Sequence, residues 1–330
     1  MKVAFFLSST GGSPLQVGLD RGLVSLGHQV EPWRSDGGYD LIVAFSQSAH
    51  CPYVYPEPPS CQTPLVFVDS SEYGWNTRFT TEQRRSFCNF FAAASLKHDT
   101  KVEVETLRLK RYLEGRSFPY FLREFYSDLT FPSCYHPIDY PLYAHSLCPA
   151  RPSLDDYVRR QEDLFLSWGI SHPWRRNLTD LLRAAPVRST VLALEENGTP
   201  RMPQAEMFAR THSARCSASF DGYGSSSFRL TEVIVRTLLL KGPLCIKLRE
   251  DLTDGLNCVE YQVTGDGDTF VSSNIVERML WALEDPERGF RIYEAGYHHC
   301  MSRWTETATA QYLLDTVARH DYSQPTQLDL

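Results

Sequence analysis

Between Ser219 and Glu232 the chain reads SFDGYGSSSFRLTE, the stretch whose residue types are best suited to chemistry. A turn of glycine and serine, Asp221–Gly224 followed by Ser225, Ser226 and Ser227, leads into an apolar run with helical character. Arg229 and Glu232 fall in its first turns. The first N–H groups of a helix have no partner within it, and that end carries partial positive charge, so it can receive a phosphate. Gly224 lets backbone approach closely, the serine hydroxyls add donors, and a guanidinium can fork onto phosphate oxygens. Glu232 stands three residues after Arg229, on the same helical face. A carboxylate there repels phosphate but accepts the hydroxyls of a ribose. The set suits a nucleoside diphosphate. The same residues also read as an N-cap followed by a local ion pair.

These residues need elements to hold them. Lys2–Leu7, "HQVEPW", Tyr39–Phe45 and Thr63–Asp69 are short apolar or β-branched runs bounded by turns, as in strands covered on both faces. Pro14–Leu26 between the first two has helical spacing, with Leu15, Val17, Leu19, Leu23 and Leu26 on its apolar side. The lysine and five-residue apolar run at the N-terminus are followed by a Gly-Gly turn, which fits a first strand better than a signal peptide. Near Ser146–Ser153 the composition shifts to "SLCPARPS", and a second series begins: strand Asp163–Gly169, helix "PWRRNLTDLLRAA", strand "STVLALEE", strand Ala218–Phe220, then "PLCIKL" as another strand. Two α/β halves, 1–150 and 151–330, are therefore expected, each Rossmann-like, with ligands gathering beyond the carboxyl ends of the strands.

Composition sets limits. The chain has 330 residues, a net charge of −7 and nine cysteines with no C-x-x-C pair. Neither a disulfide framework nor a zinc ribbon fits, and buried or surface thiols in a reducing cytoplasm do. No apolar run approaches the ~20 residues of a membrane span. Charge is uneven: Trp75–Phe125 holds ten Lys/Arg against six Asp/Glu, a local excess that could face DNA or simply form a solvated helical face. "GDGD" at Gly265–Asp268 lacks the ligand spacing of a calcium loop and reads as a turn.

The order of motifs after Arg229 and Glu232 resembles the C-terminal domain of GT-B glycosyltransferases, notably the spore-coat-protein-like and exostosin-like group. The motifs are Arg229-x-x-Glu232, the turn at Gly242 and Pro243 (a Gly-x-Pro or similar turn in the family), Leu252–Asp254–Gly255–Asn257, and "LEDPERGFRIYEAG" from Leu283 to Gly296. The resemblance spans about Asp163 to Val317. It implies two Rossmann-like domains facing across a cleft, with an acceptor domain at 1–150 and a nucleotide-sugar domain at 151–330 that ends in a closing C-terminal helix. The donor would be a UDP- or GDP-sugar, and no metal is expected.

Carried over residue by residue, Glu232 takes the ribose hydroxyls. Arg229, Gly224, the Ser225–Ser227 turn and a loop cation, Arg175 or Arg176, hold the diphosphate. Gly11 and Gly12 line the sugar side or simply turn the chain. Gly224 also stands eight residues before Glu232, where many retaining relatives carry a sugar-binding carboxylate, so a retaining mechanism does not follow. The base that takes the acceptor's proton should come from loops after the first-half strands. Asp69 and Glu72 in "VDSSEYGWN" and His50 in "SQSAH" are the candidates, with Asp69 also readable as a turn or capping carboxylate. "YFLREFYSD" resembles the end of the N-terminal domain, where Arg123 and Glu124 read as a structural pair. The acceptor is a hydroxyl of a glycan, a small molecule, a protein or a hydroxylated DNA base. Two other readings keep the same shell: a nucleotide-sugar-binding protein without catalysis, and a nucleotide-sugar epimerase.

Overall fold

The computed structural model describes residues 1–6, 14–45, 63–69, 113, 115–123, 125, 131–142, 149–170, 173–195, 202–219, 228–244, 246–264, 271–272 and 274–326. The chain forms two compact units: Met1–Pro141 with Cys245–Arg249 and Thr305–Leu330, and Leu142–Leu244 with Glu250–Trp304.

The first unit is built on a six-stranded parallel sheet in the order β2-β1-β3-β4-β5-β6. Its strands are β1 (Lys2–Phe6), β2 (Gln29–Pro32), β3 (Leu41–Phe45), β4 (Leu65–Asp69), β5 (Tyr120–Leu122) and β6 (Tyr135–Pro137). β3 and β4 are buried along their whole length, as continuous apolar strands of a two-sided sheet should be. One face packs Val3, Leu41, Val43, Val66 and Phe121 against Leu15, Leu19 and Leu23 of α1 (Pro14–Ser25) and Leu313 of the C-terminal helix α8 (Glu306–Arg319). Glycines let the helices approach. A Cβ at Gly22 would lie 2.1 Å from the Glu306 carbonyl oxygen and 2.8 Å from the Ala310 Cβ. Gly22→Val should therefore destabilise this unit by about 2–3 kcal/mol, measured as a lower urea midpoint at unchanged slope.

The second unit carries a five-stranded parallel sheet in the order β11-β10-β9-β7-β8. Here β7 is Glu162–Ile170, β8 Ser189–Glu195, β9 Ala214–Ser219, β10 Leu238–Lys241 and β11 Val259–Glu260. The helices are α2 (Leu154–Val158), α3 (Pro173–Arg183), α4 (Gln204–Ser213), α5 (Phe228–Ile234), α6 (Ile275–Glu284) and α7 (Pro286–Arg303). A small antiparallel pair, β12 (Val263–Thr264) with β13 (Val271–Ser272), brackets the GDGD segment, which lies outside the described residues.

Several motifs behind the resemblance turn out to build this scaffold. Gly255 sits at φ +73°, and Asn257 Oδ1 accepts the Thr253 N–H at 2.7 Å, which closes a tight turn. Asp254 Oδ1 accepts the Glu260 N–H at 2.8 Å, and Arg278 Nη2 donates to both Asp254 carboxylate oxygens, at 2.6 and 2.7 Å. Asp285 caps α7 through the N–H groups of Glu287 and Arg288, with Pro286 in its first turn. At Gly296 a Cβ would meet the Asn257 carbonyl oxygen at 2.6 Å and Ile234 at 2.9 Å, so the helix packs flush on the turn.

Two expectations need correction. The apolar run after Glu232 is not one helix: α5 stops at Ile234, and Leu238–Lys241 is the buried strand β10 paired with β9, while the described residues among 243–248 form no strand. Gly242 and Pro243 end β10, and Cys245–Arg249 belongs to the first unit, where Lys247 N–H reaches the Phe125 carbonyl at 2.7 Å. The C-terminal helix also departs from the 151–330 division. α8 packs its Ala310 and Leu313 on α1, so residues 305–330 complete the first unit, and the break after it falls at Pro141.

Candidate functional site

In a doubly wound sheet ligands bind beyond the carboxyl ends of the strands where the strand order reverses. In the second unit that point lies between β7 and β9, which are neighbours in the sheet yet lead to different helices. β7 leads to α3 with Arg175 and Arg176, and β9 leads to α5 with Arg229 and Glu232. The topology thus brings together two candidate groups that are more than fifty residues apart in the chain.

Arg175, in the first turn of α3, folds back so that Nη1 donates to the Gly169 carbonyl at 2.9 Å, with its guanidinium 5.8 Å from the Trp168 ring. Trp168 Nε1 in turn donates to Thr179 Oγ1 at 2.9 Å, and that hydroxyl donates to the Arg175 carbonyl at 2.6 Å, which pins this end of the helix to the strand. Arg176 is exposed. Arg229 is half-buried, with Nε donating to the Ala218 carbonyl at 3.4 Å and Nη1 to Met207 Sδ at 3.9 Å. Burial lowers Arg229 to about 10, Glu232 opposes the shift, and the Arg175 charge adds to it. Two guanidiniums that oppose each other's charge are a place where an anion is stabilising.

Glu232 is buried, 3% exposed. Burial raises its carboxyl above the ordinary range, against the pull of Arg229, Arg236 and a hydrogen bond from Gln204, whose Nε2 donates to Oε1 at 3.4 Å. Arg236 is buried over the Phe208 ring at 3.7 Å, and its Nη1 donates to the Glu232 carbonyl at 2.7 Å. Arg160 closes the far end of this turn by donating to the carbonyls of Arg236 and Ala214. Gln204 and Arg236 were not apparent from sequence. Neither lies in a motif, and only the packing of α4 beside α5 brings the amide to Glu232.

Gly224 and Ser225, Ser226 and Ser227 lie outside the described residues, as do Gly11, Gly12, His50 and Glu72. α5 has seven residues, too short for its dipole to carry an anion site unaided, so the guanidiniums must. Asp69 ends β4 as expected, fully buried, and its Oδ2 accepts the Tyr120 hydroxyl at 3.0 Å. Burial and the Asp69 charge push that phenol well above its usual range, so it remains a donor. Arg123 is buried and donates to the Tyr140 hydroxyl, which removes it from any exposed basic surface, while Glu124 lies outside the described residues.

No protein-family model matches the chain, and no curated protein does. Among solved structures the chain is similar to an α-glucosyltransferase in complex with UDP-glucose and DNA containing an abasic site. Identity is 10% and the TM-score 0.58, with 97% of this chain and 100% of that one covered. It is also similar to the DNA-modifying enzyme β-glucosyltransferase, studied with and without uridine diphosphoglucose, at 10% identity and a TM-score of 0.50 over 96% and 100% of the two chains. A glycosyltransferase from Rickettsia africae ESF-5 matches at 8% identity and a TM-score of 0.50, over 96% and 97%. These likenesses show the fold. The chain has the GT-B fold, with one parallel α/β sheet in each of its two units. No helix among the described residues is long and apolar enough to cross a membrane.

Proposed function

We propose that the chain is a glycosyltransferase that binds a nucleotide-sugar donor on its second unit and passes the sugar to an acceptor hydroxyl. The observation that carries this reading is that Arg175 and Arg229, on the helices that follow β7 and β9 on either side of the switch point, act electrostatically on one another, with the buried carboxyl of Glu232 acting on Arg229 in turn. Glu232 accepts the ribose hydroxyls. Arg229 and Arg175, with Arg176, Gly224 and the Ser225–Ser227 turn, hold the diphosphate. In the transfer, the bond from the sugar's anomeric carbon to the diphosphate oxygen breaks and its electron pair leaves with the nucleoside diphosphate. The acceptor oxygen forms the new bond as its proton goes to a base. Charge then accumulates on the departing diphosphate, where fixed guanidiniums stabilise it without requiring a metal ion.

The base belongs to the first unit, with His50, Glu72 and Asp69 as candidates and the Gly11–Gly12 turn on the sugar side. Asp69 would have to exchange the Tyr120 hydroxyl for that of the acceptor. The motif order supports a place in the spore-coat-like and exostosin-like group. The UDP-glucose named for two of the solved neighbours makes a UDP-sugar the first donor to test. Buried thiols at Cys216 and Cys258, the latter pushed up to about 12 mainly by its burial, accord with a cytoplasmic protein.

The test is release of nucleoside diphosphate from a panel of UDP- and GDP-sugars, with and without a chelator. Release from at least one donor, undiminished by the chelator, is expected. Nucleotide binding without release would mean a binding protein, an altered sugar still bound to its nucleotide would mean an epimerase, and chelator sensitivity would overturn the metal-independent reading. Among acceptors, the charge excess of 75–125 makes hydroxylated DNA the first to try. Retention on DNA that falls steeply between low and moderate salt supports it, and retention indifferent to salt counts against it.

A further inference from the structure

We infer that Gln204 is a positioning residue for Glu232, holding its carboxylate in place and ionised for the ribose of the nucleotide; the inference rests on the donor-site reading above. Gln204 opens α4, directly after Pro203, so its amide comes from the positive end of a ten-residue helix. Two contacts hold α4 against α5 and the turn that follows it: Met207 Sδ receives Arg229 Nη1 at 3.9 Å, and Phe208 lies under the guanidinium of Arg236, two residues past the end of α5, at 3.7 Å. That packing sets Gln204 Nε2 3.4 Å from Glu232 Oε1.

The groups facing Glu232 are Arg229 and Arg236 from its own segment and Gln204 from α4. Burial works against the charged carboxylate, and these three work for it. Arg236 Nη1 is committed to the Glu232 main-chain carbonyl. Arg229 is the group assigned to the diphosphate. When the donor draws on Arg229, the amide is the partner that stays on the carboxylate itself. An amide has no proton to lose across the working pH range, so its bond is unaffected by pH.

The experiment is calorimetric binding of UDP and of 2′-deoxyUDP to the full chain between pH 5 and 8.5, for the native protein, Gln204→Leu and Gln204→Glu. Gln204 is exposed, so both variants should keep the fold, as circular dichroism would verify. Native affinity should fall as pH drops through the raised Glu232 value, because the protonated carboxyl accepts fewer hydrogen bonds. Gln204→Leu should move that midpoint up by about 0.5–1 pH unit and reduce the preference for UDP over 2′-deoxyUDP by about threefold. Gln204→Glu sets a second carboxylate against the first and should move the midpoint further up. Coincident midpoints in all three proteins, or a loss of affinity uniform across pH, would overturn the role of Gln204. A native protein that binds no UDP, or binds both nucleotides alike, would overturn the donor-site reading instead.

Discussion

Replacing Glu232 with Ala is expected to weaken UDP binding by roughly tenfold or more, the scale of lost charge-assisted hydrogen bonds to a ribose. The same residue predicts an opposite effect on stability. Glu232 is buried in the unliganded protein and its carboxyl is raised from the ordinary 4.5. A group raised on folding favours the folded state fully below its unfolded value, and that contribution is lost as pH rises through the folded value. Native stability should therefore decline, relative to Glu232→Gln, from about pH 4.5 upward and then run parallel above the raised value. At pH 8 Glu232→Gln should melt higher by ~2 °C, and at pH 4 the two should coincide. A residue that costs stability at working pH and is kept buried against Arg229 is better explained by a ligand than by a local ion pair. Equal melting curves at both pH values would remove that argument.

Arg229→Ala should have the largest effect on turnover. The guanidinium is held by the Ala218 carbonyl and by Met207, within electrostatic reach of both Arg175 and Glu232. If it meets the charge that builds on the departing diphosphate, its removal should lower kcat by about 10²–10³, the cost of losing one fixed transition-state donor. Uridine, which has no phosphate, should bind the variant and the native protein alike. Arg229→Lys should recover little, because an ammonium cannot reach the carbonyl and the phosphate in the planar fork of a guanidinium. Loss of uridine binding along with UDP binding would mean that the substitution had disturbed α5 rather than removed a phosphate contact.

Much of the scaffold was legible in the sequence because the strands of a two-sided parallel sheet are continuous apolar runs. Leu41–Phe45 and Leu65–Asp69 show this in the first unit, and Glu162–Ile170 shows it in the second. The boundary after Glu232 was misread for a related reason. The run from Val233 to Leu240 is apolar at nearly every position, so it has no period to separate helix from strand, and only pairing with β9 makes Leu238–Lys241 a strand. α8 carried no mark of its unit, because an amphipathic helix fits either sheet. The leucines and glycines of α1 decide the matter.

Within the site, Arg229 and Glu232 were legible because their spacing is local to one helix. Their connection to Arg175 depends on strand order, and Gln204 depends on how α4 packs, so neither pattern exists along the chain. Several residues of the LTDGLN and LEDPE segments proved to be scaffold: Asn257 closes a turn, Asp254 grips Arg278, and Asp285 caps a helix. They mark the architecture that sets up the site more than the chemistry within it.

The central claim is that the second unit holds a nucleoside diphosphate between Arg175 and Arg229, with the ribose on Glu232. A crystal structure of the chain soaked with UDP tests it most directly. The account predicts diphosphate density at the carboxyl ends of β7 and β9, within hydrogen-bond distance of Arg229, and both ribose hydroxyls on the Glu232 carboxylate. UDP bound elsewhere on the chain, or an empty switch point at saturating UDP, would contradict it.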